Sequence, residues 1–321
     1  MRSTGLDTEN WLRHAWLNRL QSALLLALMG GLLALVGWLL WGGIGIVTLL
    51  IAGVVIVLMN PTFAPQWIMR MYGAKTLTPG EAPGLYAALR ELAGRAGLEV
   101  LPKLHYIPSR MVNAFTVGRA DQSAIAVTDA LLRVLNSREI VAVLAHEISH
   151  VRSNDIWVMS LADMFSRMTN LLSMFGLLLL FVSLPVAMLA EVSINWFAIL
   201  LLIVAPNLSA LAQLGLSRTR EYEADLNAVR LTGDSEGMAS ALIRIERASG
   251  AWLERIFLPG RGIPDPSLLR SHPSTESRIQ RLRELVPDEN YPSSRDWVPD
   301  VQPHDRPATR APRWHVNGLW Y

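Results

Sequence analysis

Three long stretches of this chain contain no Lys, Arg, Asp or Glu, and they constrain its fold more than any other feature. The stretches cover residues 20–69, 168–190 and 192–217, which together hold 99 of the 321 residues. A helix that crosses a bilayer needs about 20 consecutive apolar residues. So much uninterrupted apolar length is too large for burial in one small core, which argues strongly against a freely soluble monomer. The sequence therefore predicts an integral membrane protein.

The uncharged stretches divide into two helical hairpins. The first stretch is long enough for two spans that meet at Trp41-Gly42-Gly43, and the other two stretches are separated by Glu191. Lys and Arg are enriched on the cytoplasmic side of spans, and every basic residue close to the predicted spans lies on one side of them. We expect four transmembrane helices in the inner cell membrane, with both termini and the polar segments in the cytoplasm. Four buried core helices are the alternative, which the length of the stretches disfavours.

The polar segments have the pattern of a mainly helical domain with a small sheet. Helical periodicity is interrupted by short strand-like runs at 104–109, 112–118 and 123–128. Trp and Leu beside Arg in residues 8–20 fit an interfacial helix on the inner leaflet and a plain extension of the first span equally well. We predict six parts: the N-terminal segment 1–19, hairpin one 20–60, a first polar part 61–167, hairpin two 168–217, a second polar part 218–286, and a Pro-rich, disordered tail 287–321.

The chain contains no cysteine and carries a formal net charge of +2. The lack of cysteine excludes disulfides, thiol nucleophiles and iron–sulfur clusters, so that a metal ion can be held only by His, Asp or Glu. A net charge of +2 is too small to indicate a nucleic-acid partner. The expected partners are instead the lipid bilayer and whatever substrate the polar segments bind.

The pentapeptide His146-Glu147-Ile148-Ser149-His150 is the most informative motif. On a helix, residues four apart lie on one face, so both imidazoles can bind the same Zn²⁺. The glutamate that follows the first histidine can then accept a proton from a water molecule at the metal. Asn136 and Glu139 have the spacing of a capping box and predict that this helix begins there. A solvated helix with two unliganded histidines is the alternative.

A catalytic zinc site needs a third protein ligand. A metzincin would supply a third histidine after a glycine, but Ser153 and Ile156 occupy those two positions. Glu221 and Asp225 lie one helical turn apart, so that Glu221 can bind the metal and Asp225 can orient a ligand histidine. The same spacing fits a charged helix beside the membrane equally well.

Three separated signatures occur in order along the chain, together with an Asn-Ala-Phe triplet: LAHEISHVRSND, SRTREYEADLNAVRL and SHPSTESRIQRL. This arrangement resembles the HtpX-type membrane metalloproteases, which are relatives of the CAAX prenyl proteases, over about residues 20–285. The resemblance implies a cytoplasmic zincin-type (gluzincin) domain with one Zn²⁺ per chain. It places the zinc ligands on His146, His150 and Glu221, and the general base on Glu147.

The resemblance also suggests roles for residues around the metal. The candidates are Asp225, Asp155 and Arg278 as supports, His272 as a donor to the oxyanion, and Asn113, Ala114 and Phe115 as a strand edge that binds the substrate peptide. Simpler readings stay open: Asp155 and His272 fit helix caps, Arg278 fits a solvated helix face, and the triplet fits an ordinary edge strand.

The sequence thus predicts a zinc-dependent metalloendopeptidase that cleaves membrane or misfolded proteins at the cytoplasmic face, in membrane protein quality control and stress response. A catalytically silent zinc-binding scaffold is one alternative, and the intact Glu147 disfavours it. A CAAX-type prenyl-peptide protease is another, which needs more spans than four. A transporter would carry ionisable groups inside its spans, and these stretches have none. The sequence does not indicate the oligomeric state or the cleavage preference.

Overall fold

The structure, a computed structural model, describes residues 8–49, 51, 65–189, 195–257, 274–284 and 299. Its helices are α1 (Thr8–Trp41), α2 (Pro65–Met71), α3 (Pro83–Ala96), α4 (Asp129–Val134), α5 (Ser137–Ser153), α6 (Asp155–Leu189), α7 (Trp196–Thr232), α8 (Ser235–Phe257) and α9 (Thr275–Arg283). Its strands are β1 (Lys75–Thr76), β2 (Lys103–Ile107), β3 (Ala114–Val117) and β4 (Ala124–Thr128). The protein is mostly helical with a small four-stranded sheet, as the sequence predicted.

The chain divides into two compact units. The first, here called the site unit, contains Met1–Leu17, Thr62–Ile156 and Arg220–Tyr321, and the second, the helical unit, contains Asn18–Pro61 and Trp157–Thr219. Helices α1, α6 and α7 each have residues in both units. The uncharged stretches mark only the apolar part of these helices. Helix α6, for example, begins at Asp155, before its charge-free part, with a pair between Asp163 and Arg167 in its polar turns.

The helical unit carries its apolar side chains on the outside. Trp38, Leu178 and Phe181 are 55%, 57% and 75% exposed, whereas a smaller set of Ala, Val, Leu and Met side chains packs between the helices. Among the residues that the structure describes, three helices are long and apolar enough to cross a membrane: Leu12–Trp41, Asp155–Pro185 and Trp196–Thr232. An outward apolar surface suits lipid rather than water. The protein is therefore a membrane protein, as predicted.

Four spans were predicted, and the one not among these three helices is the second half of hairpin one. Most of its residues lie outside the described part of the chain. Its beginning is described, however: α1 ends at Trp41, and residues 43–49 are helical again. Gly42 has a φ of 64°, a left-handed conformation that glycine adopts without strain. A Cβ on Gly45 would lie 2.1 Å from the carbonyl oxygen of Gly37, so the two helical segments approach closely there. The tight turn that the sequence predicts at Trp41-Gly42-Gly43 is thus present.

The N-terminal segment and the predicted turn at Glu191 had different outcomes. Helix α1 continues without a break from Thr8 into the apolar stretch, so residues 8–20 are an extension of the first span, one of the two readings that the sequence left open. Glu191, His272 and nearly all of the predicted tail 287–321 lie outside the described residues.

The sheet is the scaffold of the site unit. Its strand order is β1-β2-β4-β3, with β2 parallel to β4 and β3 antiparallel to β4. One face packs on the main core through Leu104, Tyr106 and Ile125, and the other face packs on Met69 of α2. Strand β3 therefore lies at an edge of this sheet, and strands β2, β3 and β4 fall within or overlap the three predicted runs. The short strand β1 was not predicted.

Helix α5 begins and ends at specific signals. Asn136 Oδ1 accepts a hydrogen bond from the Glu139 amide at 3.0 Å, and Glu139 Oε2 accepts one from the Asn136 amide at 2.9 Å. This reciprocal pair is the predicted capping box. At the other end, Asn154 adopts a left-handed conformation with a φ of 57°, and α6 begins at the next residue. The HExxH motif therefore lies on a helix with both ends defined.

Candidate metal centre

Three side chains that can bind a metal come together within the site unit. His146 and His150 lie on α5, and Glu221 lies on α7. The two Nε2 atoms are 3.1 Å apart, and Glu221 has carboxylate oxygens 3.5 Å from His146 Nε2 and 3.9 Å from His150 Nε2. Bonds of about 2.0–2.2 Å to one tetrahedral ion place neighbouring ligand atoms about 3.3–3.6 Å apart. The three measured separations bracket that spacing.

The second ring nitrogen of each histidine faces a carboxylate. His150 Nδ1 lies 2.7 Å from Asp155 Oδ2, and His146 Nδ1 lies 3.0 Å from Asp225 Oδ1, the latter at ion-pair distance without hydrogen-bond alignment. Each carboxylate favours a proton on Nδ1, which leaves a lone pair on Nε2. Two such lone pairs and the carboxylate of Glu221 then converge on one point as three electron-pair donors. A cation satisfies this donor set, and zinc is the ion that two imidazoles and a carboxylate commonly hold.

Electrostatics at His146 lead to the same conclusion. Burial by itself lowers the pKa of His146, but the carboxylates of Asp225 and Glu221 outweigh it and raise the pKa to about 10. Without a metal the ring is therefore protonated on both nitrogens and positively charged at neutral pH. A metal ion replaces that proton as the positive charge between the two carboxylates, so that binding releases a proton.

Arg278 supports the carboxylates on the His146 side of the centre. Its guanidinium donates from Nε and Nη2 to the two oxygens of Asp225, both at 2.6 Å, and Nη1 lies 3.3 Å from Glu221 Oε2. Such a two-pronged pair fixes the plane of the carboxylate. Arg278 belongs to α9, so this short helix contributes directly to the centre. Arg278 is therefore buried against these carboxylates and does not lie on a solvated helix face.

Arg220 supports the His150 side and was not singled out from the sequence. It is buried, it donates from Nε to Asp155 Oδ1 at 2.5 Å, and it also pairs with Glu223. Asp155 therefore binds both His150 and Arg220, in addition to standing at the first residue of α6. Arg220 and Glu223 are three residues apart on one helix, a spacing that suggests an ordinary surface pair. Nothing in the local sequence distinguishes this buried arginine from an exposed one.

Glu147 lies beside the edge strand. It is 7% exposed, and Thr116 Oγ1 of β3 donates to its Oε2 at 2.7 Å. The predicted substrate strand falls here as well: Asn113 directly precedes β3, and Ala114 and Phe115 are its first two residues. Ala114 packs toward the main core, and Phe115 packs on the opposite face of the sheet. The sequence placed Thr116 in this strand without assigning a role to its side chain.

The comparisons with known proteins agree with this geometry. The model of peptidase family M48 matches residues 79–286. The chain belongs to this family. A "Protease HtpX homolog" of Acaryochloris marina is 35% identical over 296 residues, which cover 84% of this chain and 95% of the relative. Another, from Paraburkholderia phytofirmans, is 34% identical over 284 residues, which cover 84% and 97%. The predicted resemblance to the HtpX-type metalloproteases is therefore confirmed, and the protein is a metallopeptidase.

One solved structure is also similar. The crystal structure of S. mikatae Ste24p matches 84% of this chain and 66% of its own, with 21% sequence identity and a TM-score of 0.43. M48 metalloproteases are zinc-dependent in general, which agrees with the two-histidine, one-glutamate cluster.

Proposed function

We propose that this protein is a zinc-dependent metalloendopeptidase that cleaves peptide bonds in membrane or misfolded proteins at the cytoplasmic face of the inner membrane. The observation that carries the proposal is the convergence of three metal-binding groups beside Glu147 and an edge strand. One Zn²⁺ would be held by His146, His150 and Glu221. Residues 61–167 and 218–286 would form the protease domain, and 20–60 and 168–217 would form four spans.

The residues around the centre divide the chemical work. A Zn²⁺ bound there supplies Lewis acidity to a water molecule and to the scissile carbonyl. Asp155 and Asp225 hold the ligand imidazoles with Nε2 toward the centre. Glu147 Oε1 accepts a proton from the attacking water and returns it to the leaving amine. His272 would stabilise the oxyanion as a hydrogen-bond donor.

An extended substrate peptide would pair with strand β3 through its main chain. Such strand addition needs an open sheet edge, and among the described residues β3 is at an edge of the sheet, next to α5. Asn113, Ala114 and Phe115 would line this edge. The main-chain contacts fix the register of the peptide and place one carbonyl at the centre.

The position of the basic residues supports a cytoplasmic site. Glu221 lies on α7 only four residues beyond the uncharged stretch that ends at Ser217, and Arg218 and Arg220 lie between them. Substrates within reach would be loops close to the membrane and misfolded membrane proteins. The resemblance to the HtpX-type proteases supports a role in membrane protein quality control under stress.

The decisive experiment combines metal analysis with cleavage of a membrane-protein substrate by the detergent-solubilised enzyme. We expect one Zn²⁺ per chain, cleavage that a chelator abolishes, and no cleavage by Glu147→Gln with its zinc retained. Glu91→Gln is the matched control, because Glu91 is an exposed helical glutamate that pairs with Arg95. Cleavage that survives the chelator, or an active Glu147→Gln, would overturn the proposal.

A further inference from the structure

Thr116 lies where the edge strand meets the HExxH helix. Its Oγ1 is 2.7 Å from Glu147 Oε2 and 3.3 Å from the carbonyl oxygen of the same residue. A threonine hydroxyl has one proton to donate, and the shorter contact to the carboxylate takes it. The terminal torsion of a glutamate is otherwise broad. The hydroxyl therefore selects one orientation of the Glu147 carboxylate and leaves Oε1 as the oxygen available for another partner.

The amide and carbonyl groups of Thr116 point away from strand β4. The carbonyl oxygen of Asn113 accepts a hydrogen bond from the Thr128 amide of β4 at 3.1 Å. In an antiparallel pair, successive residues alternate between facing the partner strand and facing away from it. The register of β3 with β4 then directs the amide and carbonyl of Ala114 and Thr116 toward the open edge. A peptide that adds to this edge would pair with those groups.

We propose that Thr116 is a positioning residue for the reaction: it connects the strand that receives the substrate with the carboxylate that acts as the base. This rests on the proposed function, in which Glu147 is the base and β3 binds the peptide. The hydroxyl holds Oε2 so that Oε1 points at the attacking water, and the same residue's main chain sets the register of the scissile bond. If the carboxylate of the base is misoriented, kcat falls while substrate affinity is unchanged.

Two substitutions at position 116 separate the hydroxyl from the shape of the side chain. Thr116→Val has nearly the same volume and branching but cannot donate, whereas Thr116→Ser keeps the hydroxyl. The main chain is intact in both. We expect kcat of Thr116→Val to fall about ten-fold, the scale of one hydrogen bond to a charged group, with KM within about two-fold of the original. Thr116→Ser restores most of kcat, and zinc content is the same in all three proteins.

The chain contains a matched control for this pair. Thr78 Oγ1 donates to Glu81 Oε2 at 2.8 Å on an exposed turn, the same donor and acceptor types away from the centre. Thr78→Val should leave both kcat and KM unchanged. An unchanged kcat in Thr116→Val, an equal loss in Thr116→Ser, or a change confined to KM would overturn the positioning role.

A second measurement does not depend on activity. Thermal unfolding of the metal-free protein is measured for Thr116→Val, for Glu147→Ala, which removes the acceptor, and for the double variant, and the same cycle is run for Thr78 and Glu81. The hydrogen bond predicts that the shifts in Tm at the 116–147 pair are non-additive by about 2 °C, and additive shifts would overturn it. If the original protein shows no chelator-sensitive cleavage, the proposed function fails and the role of Thr116 fails with it. If cleavage is chelator-sensitive but Thr116→Val is fully active, only the role of Thr116 fails.

Discussion

The two ligand histidines have the same kind of support, but it comes from different parts of the chain. On each side a histidine faces an aspartate, and that aspartate is paired with an arginine. On the His150 side the aspartate is only five residues away, at the start of α6, and the arginine comes from α7. On the His146 side the aspartate comes from α7 and the arginine from α9.

This difference makes the His146 side depend on a short helix. Helix α9 has nine residues, and it is held by Arg278, by a hydrogen bond between Tyr222 and Ser277 of 2.9 Å, and by Arg281 over the Tyr222 ring. Leu282 adds a buried side chain. The His150 side is instead built at the junction of two long helices. The two sides should therefore respond differently when their arginines, aspartates and docking contacts are changed.

The largest effect is expected from Arg220→Gln. This change removes the guanidinium that pairs with two buried carboxylates, Asp155 and Glu223, and removal of one partner of a buried ion pair costs about 3–5 kcal/mol. We expect a correspondingly lower free energy of unfolding of the detergent-solubilised protein. Arg133→Gln is the control, because its pair with Asp129 is largely exposed and should contribute less than about 1 kcal/mol. Equal effects of the two changes would contradict a structural role for Arg220.

The next effect concerns metal affinity. Asp225→Asn and Asp155→Asn both remove the charge that faces a ligand histidine, which typically costs about 10–100-fold in metal affinity. Asp225→Asn should cause the larger loss of metal affinity. Arg278 then no longer pairs with Asp225, and its guanidinium competes with the metal for the carboxylate of Glu221. Arg220 keeps Glu223 in Asp155→Asn. Zn²⁺ titration against a competing chelator measures both constants, and a weaker effect for Asp225→Asn would reverse the predicted order.

A smaller effect tests the docking of α9 itself. Tyr222→Phe keeps the ring under Arg281 but removes the hydrogen bond to Ser277, at a cost of about 1 kcal/mol. We expect faster tryptic cleavage at Arg281 and Arg283, together with slightly weaker metal binding. Tyr72→Phe provides the control, since Tyr72 is exposed and its ring contacts Phe115. Unchanged cleavage would show that α9 does not rely on Tyr222.

The smallest effect is expected from His105, a buried histidine that faces no carboxylate among the described residues. His105 lies near the hydroxyl of Thr76 and the carbonyl of Lys103, and burial lowers its pKa below the ordinary 6.5. The folded state therefore binds this proton less readily than the unfolded state does. The free energy of unfolding should decrease as the pH falls below about 6.5, until the pKa of the folded state is passed. The stability difference between the original protein and His105→Gln, measured from pH 7.5 to 5, should narrow over that window. A constant difference would indicate that His105 does not titrate.

Prediction from the sequence succeeded for features that depend on residues close together in the chain. The capping box at Asn136 and Glu139, the turn at Gly42 and the i, i+4 spacing of the two histidines each depend on a few adjacent residues. The short strand β1 was not predicted, because its two residues pair with β2 across 29 and 31 positions of the chain. The side chains of Arg220 and Thr116 were not assigned roles for the same reason: Asp155, which Arg220 binds, is 65 positions away, and Glu147, which Thr116 binds, is 31 positions away.

The sequence by itself determined that the chain is a membrane protein, since 99 uncharged residues in three uninterrupted stretches provide the consecutive apolar length that a membrane-spanning helix needs. It also limited the metal ligands to His, Asp and Glu, because the chain has no cysteine. Helical periodicity then placed His146 and His150 on one face of a helix. Only the tertiary structure decided which charge faces which: that Asp155 supports His150, that Asp225 supports His146, and that an arginine stands behind each. Charges that are far apart along the chain meet only through packing, and no local pattern records which of several equivalent carboxylates and guanidinium groups that packing brings together.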